Sequence, residues 1–494
     1  MHRYRALSRN LFLVSPCPAR NSDKHGRKLL STPWLRCVSS SSKLQTNGSD
    51  SSYKSISDIL NVTSSGKHDS PKEIIVEHDR VREVQSVTHH SGPGGITKSG
   101  VILGIETSAD DTGAAVVTTD KQILGEALNS QLQIHLNHGG IIPPIAKHLH
   151  EQHIGRILKE AMGQANVTVN DLDAIATTVK PGLSLCLLVG MKHGKNLCIE
   201  GNKPFIPIHH MKAHALTCRM LHDLEFPYMV LLVSGGHCIL SIARSIEDFD
   251  ILGSTIDDAP GEAFDKTARR LKLNNLKEGS SLSGGAAIEY YATKGNPEAF
   301  QFPTPMYKYR DCNWSFSGLK FIALRHILRE ERKYECDGGD VIPTYADLCA
   351  SFQHAVTTHL CKKIQRGMIY ADMRRLIPEN NRVLVISGGV AGNQYVRKGV
   401  ELVCQEMNYK VLCPQKGLCT DNGVMIAWNG VEKWKQGIEI IPPSQLDTVD
   451  IEPKSPIGNS LQADIRQLNI KCKRIKMSQL YETVGESSAT TPAA

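Results

Sequence analysis

The sequence predicts an α/β fold of two similar lobes around a cleft. Three patterns carry that expectation. A unit of apolar strand, small polar turn and returning strand begins near residue 101 and recurs near residue 228. Gly-Gly pairs follow buried strands at Gly235-Gly236 and Gly388-Gly389. Helical segments, with apolar residues at a 3.6-residue period, fill the gaps.

The elements follow in chain order. Residues 101–105 are a near-continuous apolar run, the pattern of a strand covered on both faces. A polar turn from Glu106 to Gly113 comes next, then a strand over 114–118, the turn Asp120-Lys121, and a third strand from Ile123. Residues 143–165 carry apolar side chains at 145, 149, 154, 157, 158 and 162, one stripe of a helix. The second unit repeats the first, with strand 228–233, turn Ser234-Gly235-Gly236-His237, strand 238–243 and a further strand over 249–253. Strand 383–386 runs into Ser387-Gly388-Gly389-Val390, and a helix is expected over 394–407. The expected division is an N-terminal lobe at 100–225, a C-terminal lobe at 226–437, and a C-terminal extension and tail at 438–494.

Charge is unevenly placed. The chain of 494 residues has a formal net charge of +7. Nine Lys/Arg and one acid lie in residues 1–49, leaving 48 basic against 49 acidic residues beyond. The body therefore has no overall basic field, and any nucleic-acid contact must rest on local patches. Candidates are Lys192-His193-Gly194-Lys195, Arg269-Arg270-Leu271-Lys272 and the run from Lys471 to Lys476. The Arg- and Ser-rich, acid-poor start reads as a mitochondrial transit peptide over 1–40, followed by a disordered linker over 41–99. No stretch is apolar enough to span a bilayer. The 14 cysteines include no C-x-x-C pair and read as reduced, mostly buried thiols.

His210 and His214 stand one helical turn apart, which points both imidazoles the same way, about 5–6 Å apart at Cβ. A zinc protease of this spacing places glutamate after the first histidine as general base. Met211 stands there, so the pair suggests a metal that organises or polarises a substrate. Asp421, just before Asn422-Gly423 at an expected helix start, is a candidate third ligand. Two histidines and one aspartate leave coordination positions open for substrate oxygens. The Gly-Gly turns offer backbone N–H groups to phosphate. Asp265 has the chemistry to accept from a ribose hydroxyl, Gly285 opens a helix that carries Glu289, and Asn393 presents an amide past the last Gly-Gly turn.

These segments resemble the TsaD family of tRNA threonylcarbamoyladenosine synthases. The resemblance spans about residues 101–437 and rests on GIETSADDT, HHMKAH, LLVSGGH, DDAPGEAFDK, WSFSGLK, SGGVAGN and CTDNGVMIA, in that order. The N-terminal extension and Lys180-Pro181-Gly182 look like its mitochondrial branch. The resemblance implies the duplicated lobe of the actin, hexokinase and DnaK superfamily. It implies transfer of a threonylcarbamoyl group from threonylcarbamoyl-AMP to N6 of the adenosine 3′ of the anticodon, in mitochondrial tRNAs reading codons that begin with A, with release of AMP. It implies one divalent ion per subunit, zinc or iron, held by His210, His214 and Asp421. The substrate site would take in Leu232, Val233, Ser234, Gly235, Gly236, Asp265, Gly285, Glu289 and Asn393. Asp110 would assist transfer, and a homodimer is expected.

The chain departs from the family pattern in places. Ala109 replaces a usual cysteine, so that cysteine is not a required nucleophile. Pro144 and His148 replace a usual Glu and Arg, and Lys212 stands where an acid is common. Three other readings stay open: a kinase or ATPase of the same superfamily, a metallopeptidase, and a nucleotide-bound scaffold.

Overall fold

The computed structural model describes residues 99–480 apart from Gly139 and Arg474. The transit-peptide and linker expectations, and the tail beyond 480, lie outside the described residues. The first sheet is built from β1 (Val101–Glu106), β2 (Asp111–Thr118), β3 (Ile123–Ser130), β4 (Ala174–Lys180) and β5 (Phe205–His209). Its order is β3-β2-β1-β4-β5. Helices α1 (Leu132–Asn137), α2 (Pro143–Gln164), α3 (Ser184–Gly201) and α4 (His210–Leu221) belong to this half.

The second sheet uses β6 (Tyr228–Val233), β7 (Cys238–Ala243), β8 (Phe249–Ser254), β9 (Val383–Ser387), β10 (Lys410–Leu412) and β11 (Asn459–Ser460), in the order β10-β9-β6-β7-β8-β11. With β11 set aside the two orders are the same. In each half the first strand pairs antiparallel with the second and parallel with the fourth. The repeat read from the sequence is a repeat of topology, and the expected elements fall within a residue or two of those observed, except that β2 begins at Asp111, three residues inside the expected polar turn. The second half also holds α5 (Pro260–Arg270), α6 (Gly284–Ala292), α7 (Ser317–Lys333), α8 (Tyr345–Arg374), α9 (Gln394–Glu406), α10 (Lys416–Cys419), α11 (Gly423–Gln436) and α12 (Gln462–Leu468).

Both sheets are covered on both faces, which explains their unbroken apolar central strands. Leu103 and Ile105 pack with Ile154, Ile157 and Leu158 of α2. Ile102, on the opposite face, packs with Ile426, Ala427 and Trp428 of α11. So α11, near the end of the 226–437 span, closes the first sheet rather than the second. Its approach is close: a Cβ on Gly104 would lie 2.2 Å from the Ala427 nitrogen, and one on Gly423 would lie 2.3 Å from the Ala114 carbonyl carbon. Only glycine permits backbones this near. The extension continues the clasp. Ile441 bridges to Phe205 of the first sheet, and β11 adds to the edge of the second.

The described cysteines are free thiols and most are buried. Among the described residues, no helix is long and apolar enough to cross a membrane.

Candidate metal centre and substrate cleft

Strand β5 ends at His209 and α4 begins at His210, so both site histidines lie in the first turns of one helix. Their rings stand perpendicular, with centroids 4.7 Å apart. Asp421 arrives from the other end of the chain, one residue before the Asn422 cap whose side-chain oxygen Oδ1 accepts from the Met425 amide. The seat of Gly423 on β2 brings it into place. Oδ1 of Asp421 lies 3.0 Å from Nε2 of His214 and 3.6 Å from Nε2 of His210. One ligand atom from each of the three residues fits within 4.8 Å of the others. The three expected ligands are thus together.

Behind them stands Glu106, which the sequence reading passed over. Along β1 the alternation of a strand puts residues 102, 104 and 106 on the face toward α11. Glu106 is fully buried. Its Oε2 accepts from the Thr178 hydroxyl at 2.6 Å and lies 3.2 Å from Nδ1 of His210. Its Oε1 accepts from the Ser108 amide at 2.5 Å. A carboxylate on the far nitrogen of a ligand histidine fixes its tautomer and orientation. A charge as the last residue of an otherwise apolar strand was the available sequence clue.

The electrostatics fit a cation. Burial alone would lower the His210 imidazole, but the carboxylates of Asp421 and Glu106 outweigh it and raise it to about 9. Burial would raise Asp421, yet His210 and His214 hold it well below the usual carboxylate range. One buried and one half-buried carboxylate, Glu106 and Asp421, therefore favour a positive charge between them. A proton on His210 supplies that charge, and a divalent ion would displace it. Nitrogen and carboxylate donors suit zinc or iron.

The hairpin Ser234–His237 closes the other side. His237 is held neutral, lowered to about 4 by burial and then by His210 and His214. This too was missed as a site residue, although it stands in the quoted LLVSGGH run. Gly235 and Gly236 are exposed, and open space lies where side chains would stand. Leu232 and Val233 are buried in β6, so their side chains serve the core and only their backbone borders the turn.

The remaining expected substrate residues form a connected chain. The Gly261 amide of α5 donates to the Ser234 carbonyl at 3.2 Å. One turn on, Asp265 accepts from the Gly285 amide at 3.0 Å. Glu289 accepts from the Gln394 amide at 2.6 Å. Asn393 caps α9 through its side-chain oxygen and donates its amide to Gln353 at 2.9 Å. Asp110 is electrostatically close to both groups. Burial, then the charges of Asp421 and Asp265, raise its carboxyl to about 6.

Lys212 faces neither metal nor solvent. Its ammonium donates to the Glu247 carboxylate at 2.6 Å and the Glu247 carbonyl at 2.8 Å. The expected basic patch at Arg269–Lys272 is partly neutralised, because Arg270 grips Glu331 through two bonds of 2.7 and 2.6 Å and Lys272 lies 3.4 Å from the same carboxylate.

Fold and site define an enzyme of two matched α/β halves with a His-His-Asp centre beside a glycine turn. The profile of the family TsaD, tRNA N6-adenosine threonylcarbamoyltransferase, matches residues 122–428. The chain is 44% identical over 385 residues to the human protein named tRNA N6-adenosine threonylcarbamoyltransferase, mitochondrial, covering 78% of this chain and 92% of that one. It is 47% identical over 377 residues to the Xenopus tropicalis protein of the same name, with 76% and 93% covered. A Rhizobium johnstonii protein named tRNA N6-adenosine threonylcarbamoyltransferase is 41% identical over 362 residues, with 72% and 93% covered. The chain belongs to the TsaD family of tRNA-modifying transferases, and it is a mitochondrial member.

Proposed function

We propose that this enzyme transfers the threonylcarbamoyl group of threonylcarbamoyl-AMP to N6 of the adenosine 3′ of the anticodon in mitochondrial tRNAs that read codons beginning with A. The observation that carries the reading is the position of His237. It ends the Ser234-Gly235-Gly236 turn, and its imidazole is held neutral by burial and by the charges of His210 and His214, so a phosphate held on the turn would have its acyl group near the cation centre.

The exocyclic amine of adenine is a weak nucleophile, so the electrophile must be prepared. The mixed anhydride already carries AMP as a good leaving group. The backbone N–H of Gly235 holds the phosphate as charge grows on it, and that of Gly236, which donates to the Ser234 hydroxyl at 3.3 Å in this structure, turns to join it. His210, His214 and Asp421 hold one divalent ion per subunit, which when bound supplies Lewis acidity to substrate oxygens. N6 bonds to the carbamoyl carbon, the bond from that carbon to the phosphate oxygen breaks, and AMP departs. Asp110, largely ionised at neutral pH, accepts the N6 proton. Asp265, Glu289 and Asn393 border the nucleoside. The working unit is a homodimer.

The test is reconstitution of the full-length chain with threonylcarbamoyl-AMP and a mitochondrial tRNA transcript, reading modified nucleoside by mass spectrometry and AMP by chromatography. Equal amounts of both are expected with wild type. Asp110→Ala should keep nucleotide binding and lose transfer by about 100-fold or more. Near-normal transfer by that variant would remove Asp110 from its role, and no transfer by wild type would remove the reaction.

A further inference from the structure

We infer that the exposed face of α7 is a contact surface for the phosphate backbone of an RNA, with the loop before it offering stacking positions for unpaired bases. This rests on the tRNA reading above and names where the tRNA sits. Arg325, Arg329 and Arg332 follow one another at four and three residues, so they share one face of the helix, about one cation per 5.4 Å turn. All three are exposed, and with Gln301, Pro303 and Ile322 they line an open cavity of about 520 Å³.

Their charges are available. Among the described residues, no carboxylate lies within ion-pair reach of Arg325 or Arg332. Arg329 reaches Glu330 only at 3.8 Å and otherwise donates to Nδ1 of His326 at 3.3 Å. The neighbouring Glu331 is neutralised by Arg270 and Lys272. The Arg269–Lys272 segment picked from the sequence is partly cancelled by Glu331, whereas Arg325 and Arg332 have no such partner among the described residues.

The stripe is also correctly placed. The first turn of α7 is tied to the cleft: the Phe316 amide donates to Asp257 at 2.8 Å, and Lys320 pairs with Asp258. Those aspartates lead directly into α5, whose Gly261 amide holds the Ser234 turn. From that anchor, the 17 residues of α7 extend about 25 Å. A substrate whose reacting base enters the cleft must lay its backbone along an element of this kind. Aromatic rings favour RNA over an acidic protein. Tyr307 and Tyr309, in the loop that supplies Gln301 and Pro303, are 65% and 60% exposed beside Lys308 and Arg310. Exposed rings interleaved with cations stack single-stranded bases.

The experiment compares the full-length wild type with Arg325→Gln/Arg329→Gln/Arg332→Gln by fluorescence anisotropy on a labelled mitochondrial tRNA transcript at several salt concentrations, with steady-state kinetics alongside. The expected result is a Kd raised about tenfold or more and a log–log salt slope shallower by about two to three, since each lost phosphate contact removes about 0.9. KM for tRNA should rise while kcat at saturating tRNA and the KM for threonylcarbamoyl-AMP hold. Tyr309→Ala should weaken binding severalfold with an unchanged slope. If wild type binds and modifies tRNA while the triple variant matches its Kd and slope, the surface is wrong and the function stands. If wild type neither binds nor modifies tRNA, the function fails and takes this surface with it. A loss seen with heparin but not with tRNA would assign the stripe to another polyanion and overturn it.

Discussion

Nε2 of His214 lies 3.0 Å from Oδ1 of Asp421, although 207 residues separate them in the chain. That contact joins the first half of the molecule to the helix that returns from the second. The centre therefore forms only when α11 is seated on the first sheet.

Asp421→Asn should abolish stoichiometric metal. The amide keeps the shape but removes the charge that offsets the ion. We expect less than a tenth of the wild-type content by plasma mass spectrometry after purification, with transfer activity falling in proportion. Full metal content in this variant would place the ion elsewhere.

Glu106→Gln leaves the three ligands in place but takes away the carboxylate behind His210. Loss of such a partner typically weakens metal affinity by about 10–100-fold. Competition with a chelator reads this directly. An unchanged affinity would make Glu106 a packing residue only.

Gly104→Ala tests the seat of α11. The new methyl would meet the Ala427 nitrogen at 2.2 Å and the Gly423 carbonyl oxygen at 2.5 Å, both backbone atoms that side-chain rotation cannot clear. We expect a loss of about 3 kcal/mol or more in unfolding free energy, read by denaturant titration. Metal content should fall in the fraction that stays folded, because Asp421 moves with the helix.

Asp111 predicts a pH dependence. Burial, then the charges of Asp110 and Asp421, raise its carboxyl to about 8, from an ordinary value of 3.8. The folded state thus keeps a proton that the unfolded state has released. Its contribution is fully present below about 4 and is lost as pH rises toward 8. Asp111→Asn should match wild type near pH 4 and melt at a higher temperature at pH 8. An equal gain at both pH values would show an effect unrelated to ionisation.

Much of this molecule was written locally. Strand runs, Gly-Gly turns and helical stripes are short-range patterns, and each appears in the fold where the pattern stands. Duplication was legible because both halves repeat one order of elements, and the i,i+4 spacing of His210 and His214 is a property of any helix that contains them. The family motifs named Asp421 as their partner. Position along the chain could not tell that α11 covers the first sheet, since that follows from glycines meeting a backbone more than three hundred residues earlier. Nor could it show Glu106 behind His210, His237 against the centre, or Lys212 turned to Glu247. Charge runs were the least reliable guide. Arg270 and Lys272 look basic in sequence and share the Glu331 carboxylate in space, while Arg325, Arg329 and Arg332 are separated in sequence and align on α7. Periodicity and turn chemistry are properties of neighbouring residues, so the sequence alone determined the elements and picked out the candidate ligands. Burial, ion pairing and proton affinity depend on what the rest of the chain brings near, and only the tertiary structure decided them.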